Sequence, residues 1–286
     1  MANILTAIQV IIKHYSNSLS NDTDSSNRVN AMGEGLEQFI KDSFANSFYE
    51  SKSEKIKLYS SIFSYLGSQN HIPDMMLRSG DAVEVKKNES RSGSLALNSS
   101  YPKAYLDKNY PKLKQECRDC EIWDKKDLLY VIGTVTKKTK ILNQLWMLYG
   151  DCFAADHSLY EELLTDVSKS ISDTLDDLVS ETGEISRLNE VDPLKITNLR
   201  VRGMWEIRNP STIFNYLEDI DLSYPHFQMY CLMQKEKYNS MPEDDRYSLE
   251  NLKSSDNFFI KDVRIQNPNN PAKLMDSVLI VFREKQ

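Results

Sequence analysis

Glycine and proline are scarce, at nine each in 286 residues, which excludes collagen-like and Gly/Pro-rich low-complexity chains. Cysteine and histidine are scarcer still, with four of each. His14, His71, His157 and His226 are scattered and form no H-x-x-x-H pair. Cys117 and Cys120 have metal-ligand or redox spacing, but no second CxxC or histidine pair completes a zinc site. Incidental thiols in a reduced, cytoplasmic protein are the simplest reading. No apolar run approaches the ~20 residues of a membrane span. The apolar stretch at residues 4–12 is interrupted by Gln9, lacks a basic segment before it and runs into Lys13 and His14. Neither a secretory signal nor a membrane partner is therefore expected. The absence of a P-loop, a G-x-G-x-x-G and a G-x-S-x-G removes the signals for a nucleotide cofactor and for a serine nucleophile.

Positive charge is also in deficit. Lys and Arg total 35 against 42 Asp and Glu, a net charge of -7, which taken whole argues against a nucleic-acid partner. The distribution reverses that inference locally. Residues 86–114 carry seven basic side chains (Lys86, Lys87, Arg91, Lys103, Lys108, Lys112, Lys114) against Glu89 and Asp107, a net of +5. Residues 159–192 carry ten acids against Lys169 and Arg187, a net of -8, and read as the solvent face of a helix and its following loop.

What is present suffices for a packed core, with 40% hydrophobic and 27% charged residues. Ile4, Ile8, Ile11 and Ile12 share a helical stripe, followed by a polar, turn-rich break at 17–26. A second helix is expected over 30–48, with Leu36, Phe39, Ile40 and Phe44 on one face. Runs at 72–77 and 82–87, separated by Arg78-Ser79-Gly80, read as a β-hairpin. A polar loop (88–101), a helix (111–123), strands at 127–135 and 142–149 and a long helix (157–181) follow. Further strands are expected at 199–205, 227–233, 258–264 and 277–283. The order predicts an α/β fold, with a mixed central sheet flanked by helices in residues 1–215 and a C-terminal α+β extension in 216–286 packed on the same domain.

The hairpin carries the chemistry. Pro73-Asp74 is followed, after nine intervening residues, by Glu84-Val85-Lys86. Alternation along a strand puts Glu84 and Lys86 on one face, and Asp74 on the neighbouring strand can reach it. Asp81, the rival acid, falls by parity on the opposite face with Val83 and Val85. Two carboxylates beside an ammonium form a site that suits Mg²⁺, which prefers oxygen ligands and lowers the pKa of a bound water. This is the pattern of the PD-(D/E)xK nuclease core, and a solvated surface hairpin is its bland alternative. Glu37, on the preceding helix, is a further metal candidate, and Ala82, Val83 and Val85 point to a partly buried strand.

Several segments together resemble the NgoPII-type family of type II restriction endonucleases. They are Ser64-Tyr65-Leu66-Gly67, residues 73–87, residues 95–103, residues 126–133, Tyr149-Gly150-Asp151-Cys152, residues 192–197 and residues 199–205. The resemblance spans residues 30–215 and implies a restriction-endonuclease-like core. It also implies a homodimeric, Mg²⁺-dependent enzyme cutting both strands of double-stranded DNA at a short palindrome, with GGCC the site associated with the family's named member. Asp74, Glu84 and Lys86 would be the catalytic set. Asp74, Glu84, the Val85 carbonyl and Glu37 would hold metal, and the products would carry 5′-phosphate and 3′-hydroxyl ends.

DNA contacts are expected from the basic stretch through Lys87, Arg91, Asn98, Ser99, Ser100 and Lys103. The alternation Leu199-Arg200-Val201-Arg202 places two arginines on one strand face, suited to guanine edges in the major groove. The alternatives are a non-cleaving DNA-binding module, disfavoured by the intact triad, and a repair-type nuclease, disfavoured by the arginine pair and the family segments.

Overall fold

The structure is a computed structural model that describes residues 1–20, 33–67, 71–136, 141–175, 179–180, 185–254 and 257–284. Three helices open the chain, α1 (Ile4–Ser20), α2 (Gly33–Ala45) and α3 (Lys52–Ile62), the last started by a Ser51–Glu54 capping box. Strands β1 (Phe63–Leu66), β2 (Met75–Leu77), β3 (Ala82–Asn88), β4 (Leu95–Asn98) and β5 (Tyr105–Asp107) follow. Next come α4 (Gln115–Asp119), β6 (Lys125–Val135), β7 (Leu142–Tyr149) and α5 (His157–Leu175). Four short strands, β8 (Val179–Ser180), β9 (Ser186–Leu188), β10 (Leu199–Val201) and β11 (Trp205–Ile207), lead into α6 (Pro210–Ile213). The chain ends with β12 (Gln228–Gln234), α7 (Lys235–Ser240), α8 (Glu243–Glu250), β13 (Phe258–Asn267) and β14 (Asn270–Arg283).

One mixed sheet organises these elements, in the order β1-β2-β3-β6-β7-β12-β14-β13, with β5 joined to β6. The β3–β6 and β7–β12 pairs are parallel; the others are antiparallel. Strands in the middle of such a sheet are covered on both faces and read as continuous apolar runs. Leu128–Ile132 in β6 and Leu145–Tyr149 in β7 are accordingly buried throughout. One face packs Val83, Leu129, Val131 and Met147 against Ile4, Ile8 and Ile11 of α1 and Leu36 and Ile40 of α2. The other packs Ala82, Tyr130, Ile132 and Trp146 against Leu95, Leu106, Cys117 and Phe214. Helix α2 lies so close to β6 that a Cβ on Gly133 would stand 2.6 Å from a Leu36 methyl.

The hairpin at 72–87 and the strands β6 and β7 form where expected. Helix α1 runs on to Ser20, because Asn and Ser at 17–20 weaken a helix without the backbone break that Gly or Pro would impose. Residues 21–26 and 30–32 of the expected break and helix lie outside the described residues. The loop at 88–101 contains β4, whose apolar positions Leu95 and Leu97 are buried while Ala96 and Asn98 are exposed, and it pairs with β11. The helix expected at 111–123 shrinks to five residues, since Pro111 and the turn Tyr110–Leu113 precede it and Trp123 is drawn into the core. The run at 199–205 divides at Arg202-Gly203-Met204 into strands of two different small sheets. Helix α5 ends at Leu175, and residue 181 lies outside the described residues.

The C-terminal segment does not sit beside the core sheet but extends it. Strand β12 lies directly against β7, and β14 and β13 complete the sheet beyond it. Arg91 fastens this segment to the loop after β3. Its guanidinium donates to Asn143 Oδ1 at 3.4 Å and to the carbonyls of Asn143 (3.1 Å), Leu222 (3.1 Å), His226 (3.3 Å) and Tyr224. Replacing Arg91 with Ala strands those partly buried carbonyls and should cost about 2–3 kcal/mol in urea unfolding, the scale of hydrogen bonds to a charged donor. A change under about 0.5 kcal/mol would show that the brace contributes nothing.

Candidate active site

Strand β2 pairs with β3 through Met75↔Val83 and Met76↔Ala82 and then stops. Continuing that register, the next residue of β3 to address β2 is Val85, opposite Pro73. Proline has no N–H, so the ladder has no donor for the Val85 carbonyl there. The Val85 N–H finds another acceptor instead and donates to Asp74 Oδ2 at 2.6 Å. The Asp74 carbonyl accepts from the Gly67 N–H at 2.7 Å. Position 67 must be glycine for this, because a Cβ would lie 2.3 Å from the Pro73 oxygen. A short strand, a proline and a glycine thus aim the Asp74 carboxylate at the edge of β3.

Glu84 lies on the sheet face that carries Ala82 and Tyr130, and it is only 6% exposed. Lys86, two residues on, donates to Glu84 Oε1 at 2.5 Å. The second oxygen, Glu84 Oε2, is buried and has no hydrogen-bond partner. Such an orphaned carboxylate oxygen is costly unless a cation or donor completes it. Burial pushes the Asp74 carboxyl up to about 7, and the nearby charge of Glu84 adds to this against the opposing Val85 N–H and Lys86. Burial alone would pull the Lys86 ammonium down, but Glu84 and Asp74 outweigh it and hold the group above its ordinary value. The arrangement is two closely coupled acids and one lysine, short of positive charge.

Those donors fit a hard divalent cation. The partnerless Glu84 oxygen, the Asp74 carboxylate and the undirected Val85 carbonyl are the oxygen ligands that Mg²⁺ takes. Glu37, on α2, adds negative charge that raises Asp74 further, yet its carboxylate is held by Lys41 one turn on, at 2.6 Å. Among the described residues, no three His, Cys, Asp or Glu side chains come together in a metal-holding group. Asp81 is on the opposite face, where it accepts from Tyr149 Oη at 2.6 Å and pairs with Lys237 at 2.7 Å. Lys237 also bridges to Asp127, tying α7 to the start of β3.

The residues expected at DNA are placed less uniformly. Lys87 and Ser99 are exposed, and Asn98 ends β4 with a φ of 54°, in the left-handed region that Asn tolerates. Ser100 Oγ accepts from Lys103 Nζ at 2.9 Å. Lys103 departs from the expectation of a surface contact. It is 5% exposed, with its ammonium 3.9 Å and 4.1 Å from the ring centres of Tyr101 and Tyr110, and burial pulls its pKa down to about 7. Its backbone N–H donates to Tyr130 Oη. Arg91 departs as well, since its donors are spent on Asn143 of β7 and on bracing the C-terminal segment. Arg200 and Arg202 are exposed, but β10 ends between them, at Val201. Sequence reasoning missed Gly67 as the residue that admits the Pro73-Asp74 turn, although it closes the motif Ser64–Gly67, and it missed Tyr130 and Lys237, whose partners are distant in the chain.

A mixed α/β sheet flanked by helices, with one acid on an inner strand and a second just before the strand beside it, defines a restriction-endonuclease-like fold. Residues 2–266 match the family described as NgoPII restriction endonuclease. The chain is also 38% identical to the type II restriction enzyme NgoPII of Neisseria gonorrhoeae over 281 residues, covering 98% of this chain and 99% of the relative. The chain belongs to the NgoPII restriction endonuclease family. The likeness extends well past residue 215 into the C-terminal strands. No solved structure matches the chain.

The Asp74 carboxyl has a pH consequence. Its value in the folded protein is about 7 against 3.8 when unfolded, so between those limits the folded state binds more protons. In EDTA, the stability this group contributes is full below about pH 4 and is lost as pH rises through about 7. Urea titrations of the wild type and Asp74→Asn across pH 4–8 should therefore diverge in slope, with the variant flatter. Parallel curves would contradict the raised Asp74 carboxyl.

Proposed function

We propose that this type II restriction endonuclease cuts both strands of duplex DNA at a short palindrome, GGCC, using Asp74, Glu84 and Lys86 with Mg²⁺. The observation that carries the reading is the buried, half-partnered Glu84 carboxylate beside Asp74, with the Lys86 ammonium on its other oxygen. Asp74, Glu84 and the Val85 carbonyl would hold the cation, with Glu37 close enough in charge to act on it through water. When bound, the divalent ion supplies the positive charge that makes water a nucleophile at neutral pH and neutralises the phosphate under attack.

The protein's own residues supply orientation. Glu84 is locked by burial, and Asp74 is fixed by the Val85 N–H, so neither carboxylate must reorganise as charge develops. Lys86, held on the Glu84 face of β3, would position the attacking water and stabilise charge on the phosphate oxygens. Hydrolysis in this geometry leaves 5′-phosphate and 3′-hydroxyl ends. Lys87, Asn98, Ser99 and Ser100 would meet the backbone, and Arg200 and Arg202 would reach base edges. Arg91 and Lys103 are left out, because their donors are engaged within the protein.

Each chain has one such acid pair, so cutting both strands at a symmetric site calls for a homodimer with two-fold symmetry. No helix among the described residues is long and apolar enough to cross a membrane.

Plasmid DNA incubated with the protein and Mg²⁺ should yield discrete fragments whose sequenced ends give the site. Glu84→Gln, Asp74→Asn and Lys86→Ala should each slow cleavage by about 10²–10³-fold or more, the scale of losing one preorganised charge. Ca²⁺ should support binding without cutting, and EDTA should stop cleavage. Unchanged rates in the Glu84 and Lys86 variants would remove this catalytic assignment.

A further inference from the structure

Helix α5 is strongly acidic along its exposed length, yet one of its faces is not. Thr165, Ser168, Lys169 and Ser172 recur at the three- and four-residue steps that place side chains on a single helix face. That face, together with Arg202 and Trp205, lines a cavity of about 800 Å³. Glu162 and Asp166 are turned to a separate shallow cavity on the far side of Thr165.

A second cavity, of about 470 Å³, shares Ser99 and Lys112 with the first. It continues past Lys114 to His71 and Ile72, and Ile72 immediately precedes Pro73-Asp74. Through Ser99 and Lys112 the two cavities make one groove that leads from His71 and Ile72 to α5. Among the described residues, neither cavity is lined by a carboxylate. Four permanent cations line it instead, Lys112, Lys114, Lys169 and Arg202, in a chain whose net charge is -7. Lys112 sits at the junction, its ammonium resting on the Ser99 carbonyl at 2.9 Å. The outer cavity has a partly aromatic wall, where Trp205 packs edge-on to Tyr160 at 5.4 Å.

We propose that this groove is the track for the backbone phosphates of the strand being cut, with Lys112 as the central phosphate contact and Lys114 and Lys169 along its length. The proposal rests on the reading that the chain cleaves DNA. A line of separated cations and hydroxyls, with no carboxylate among the described lining residues, matches a polyanion whose charges repeat at a fixed spacing. It also explains how an acidic protein can accept such a ligand, because Glu162 and Asp166 of α5 line the separate cavity and Glu161 is taken up by the Tyr101 hydroxyl. These residues are positioning groups and touch no reacting atom.

The test uses full-length protein in Ca²⁺ with two fluorescein-labelled 30-base-pair duplexes, one containing GGCC and one lacking it, titrated by anisotropy from 50 to 200 mM salt. Removing one cation that neutralises a phosphate should lower the slope of log K against log salt by about 0.9. Lys112→Met and Lys169→Met should each show that decrease, and the Lys112/Lys114/Lys169 triple variant about three times as much. Lys57→Met, on the exposed side of α3, should leave the slope at the wild-type value. In plasmid cleavage, Lys112→Met should raise KM several-fold with kcat within about twofold.

Wild-type slopes in the Lys112 and Lys169 variants, or an equal decrease in Lys57→Met, would overturn the groove. A wild type that binds neither duplex would overturn it too. If the slopes fall as expected while wild-type protein leaves plasmid uncut in Mg²⁺, the groove stands and the cleavage reading fails.

Discussion

Two carboxylates taken out of water within range of each other's charge are the constraint on which the rest of this structure depends. Left alone, the pair opposes folding, because burial and the charge of Glu84 raise the cost of ionising Asp74. The protein offsets this with three local devices, a lysine two residues along the strand, a backbone N–H freed where β2 ends, and a tight turn admitted by Gly67. None of them satisfies Glu84 Oε2. The residual deficit of positive charge is the chemical specification of the site. A hard cation is what the proposed reading would place there, and burial raises the Asp74 carboxyl in its absence.

That local arrangement needs a rigid mount, and the sheet provides it. Strand β3 has β2 on one side and the long, wholly internal β6 on the other, so Glu84 and Lys86 are fixed by pairing with Tyr130 and Ile132. The packing of Leu36 on Gly133 draws α2 down onto β6 and brings Glu37 towards the edge where Asp74 stands. On the opposite face, Asp81, Tyr149, Lys237 and Asp127 form a second, fully partnered charge cluster. The same strand therefore carries a satisfied polar network on one face and an unsatisfied one on the other.

The hairpin, β6, β7 and the side of β3 that bears Glu84 and Lys86 were legible in the sequence, because period-two alternation and uninterrupted apolar runs are local signals. Asp81 was separable from Asp74 by parity alone. What could not be read depends on partners far along the chain. Strand β4 looks like a polar loop until β11 pairs with it, and Arg91 looks like a DNA contact until the carbonyls of the segment before β12 are folded around it. Lys103 looked exposed for the same reason, since the rings that enclose it belong to Tyr101 and Tyr110 in turns with no regular period. The groove cations were visible only as a net charge, and which side of α5 they share with the cavity is a property of the packed helix.

The position of β12 also bears on how the chain is made. It is an interior strand between β7 and β14, supplied by the last quarter of the chain, and its parallel pairing with β7 spans a long stretch of sequence. A nascent chain can assemble the acid-bearing hairpin early. Until its final strands have emerged, however, it holds β7 as an open edge, the kind of surface that pairs with other chains. Completion of the sheet is thus deferred to the end of synthesis, and a chain cut short there is left with an aggregation-prone face in place of a smaller, working enzyme.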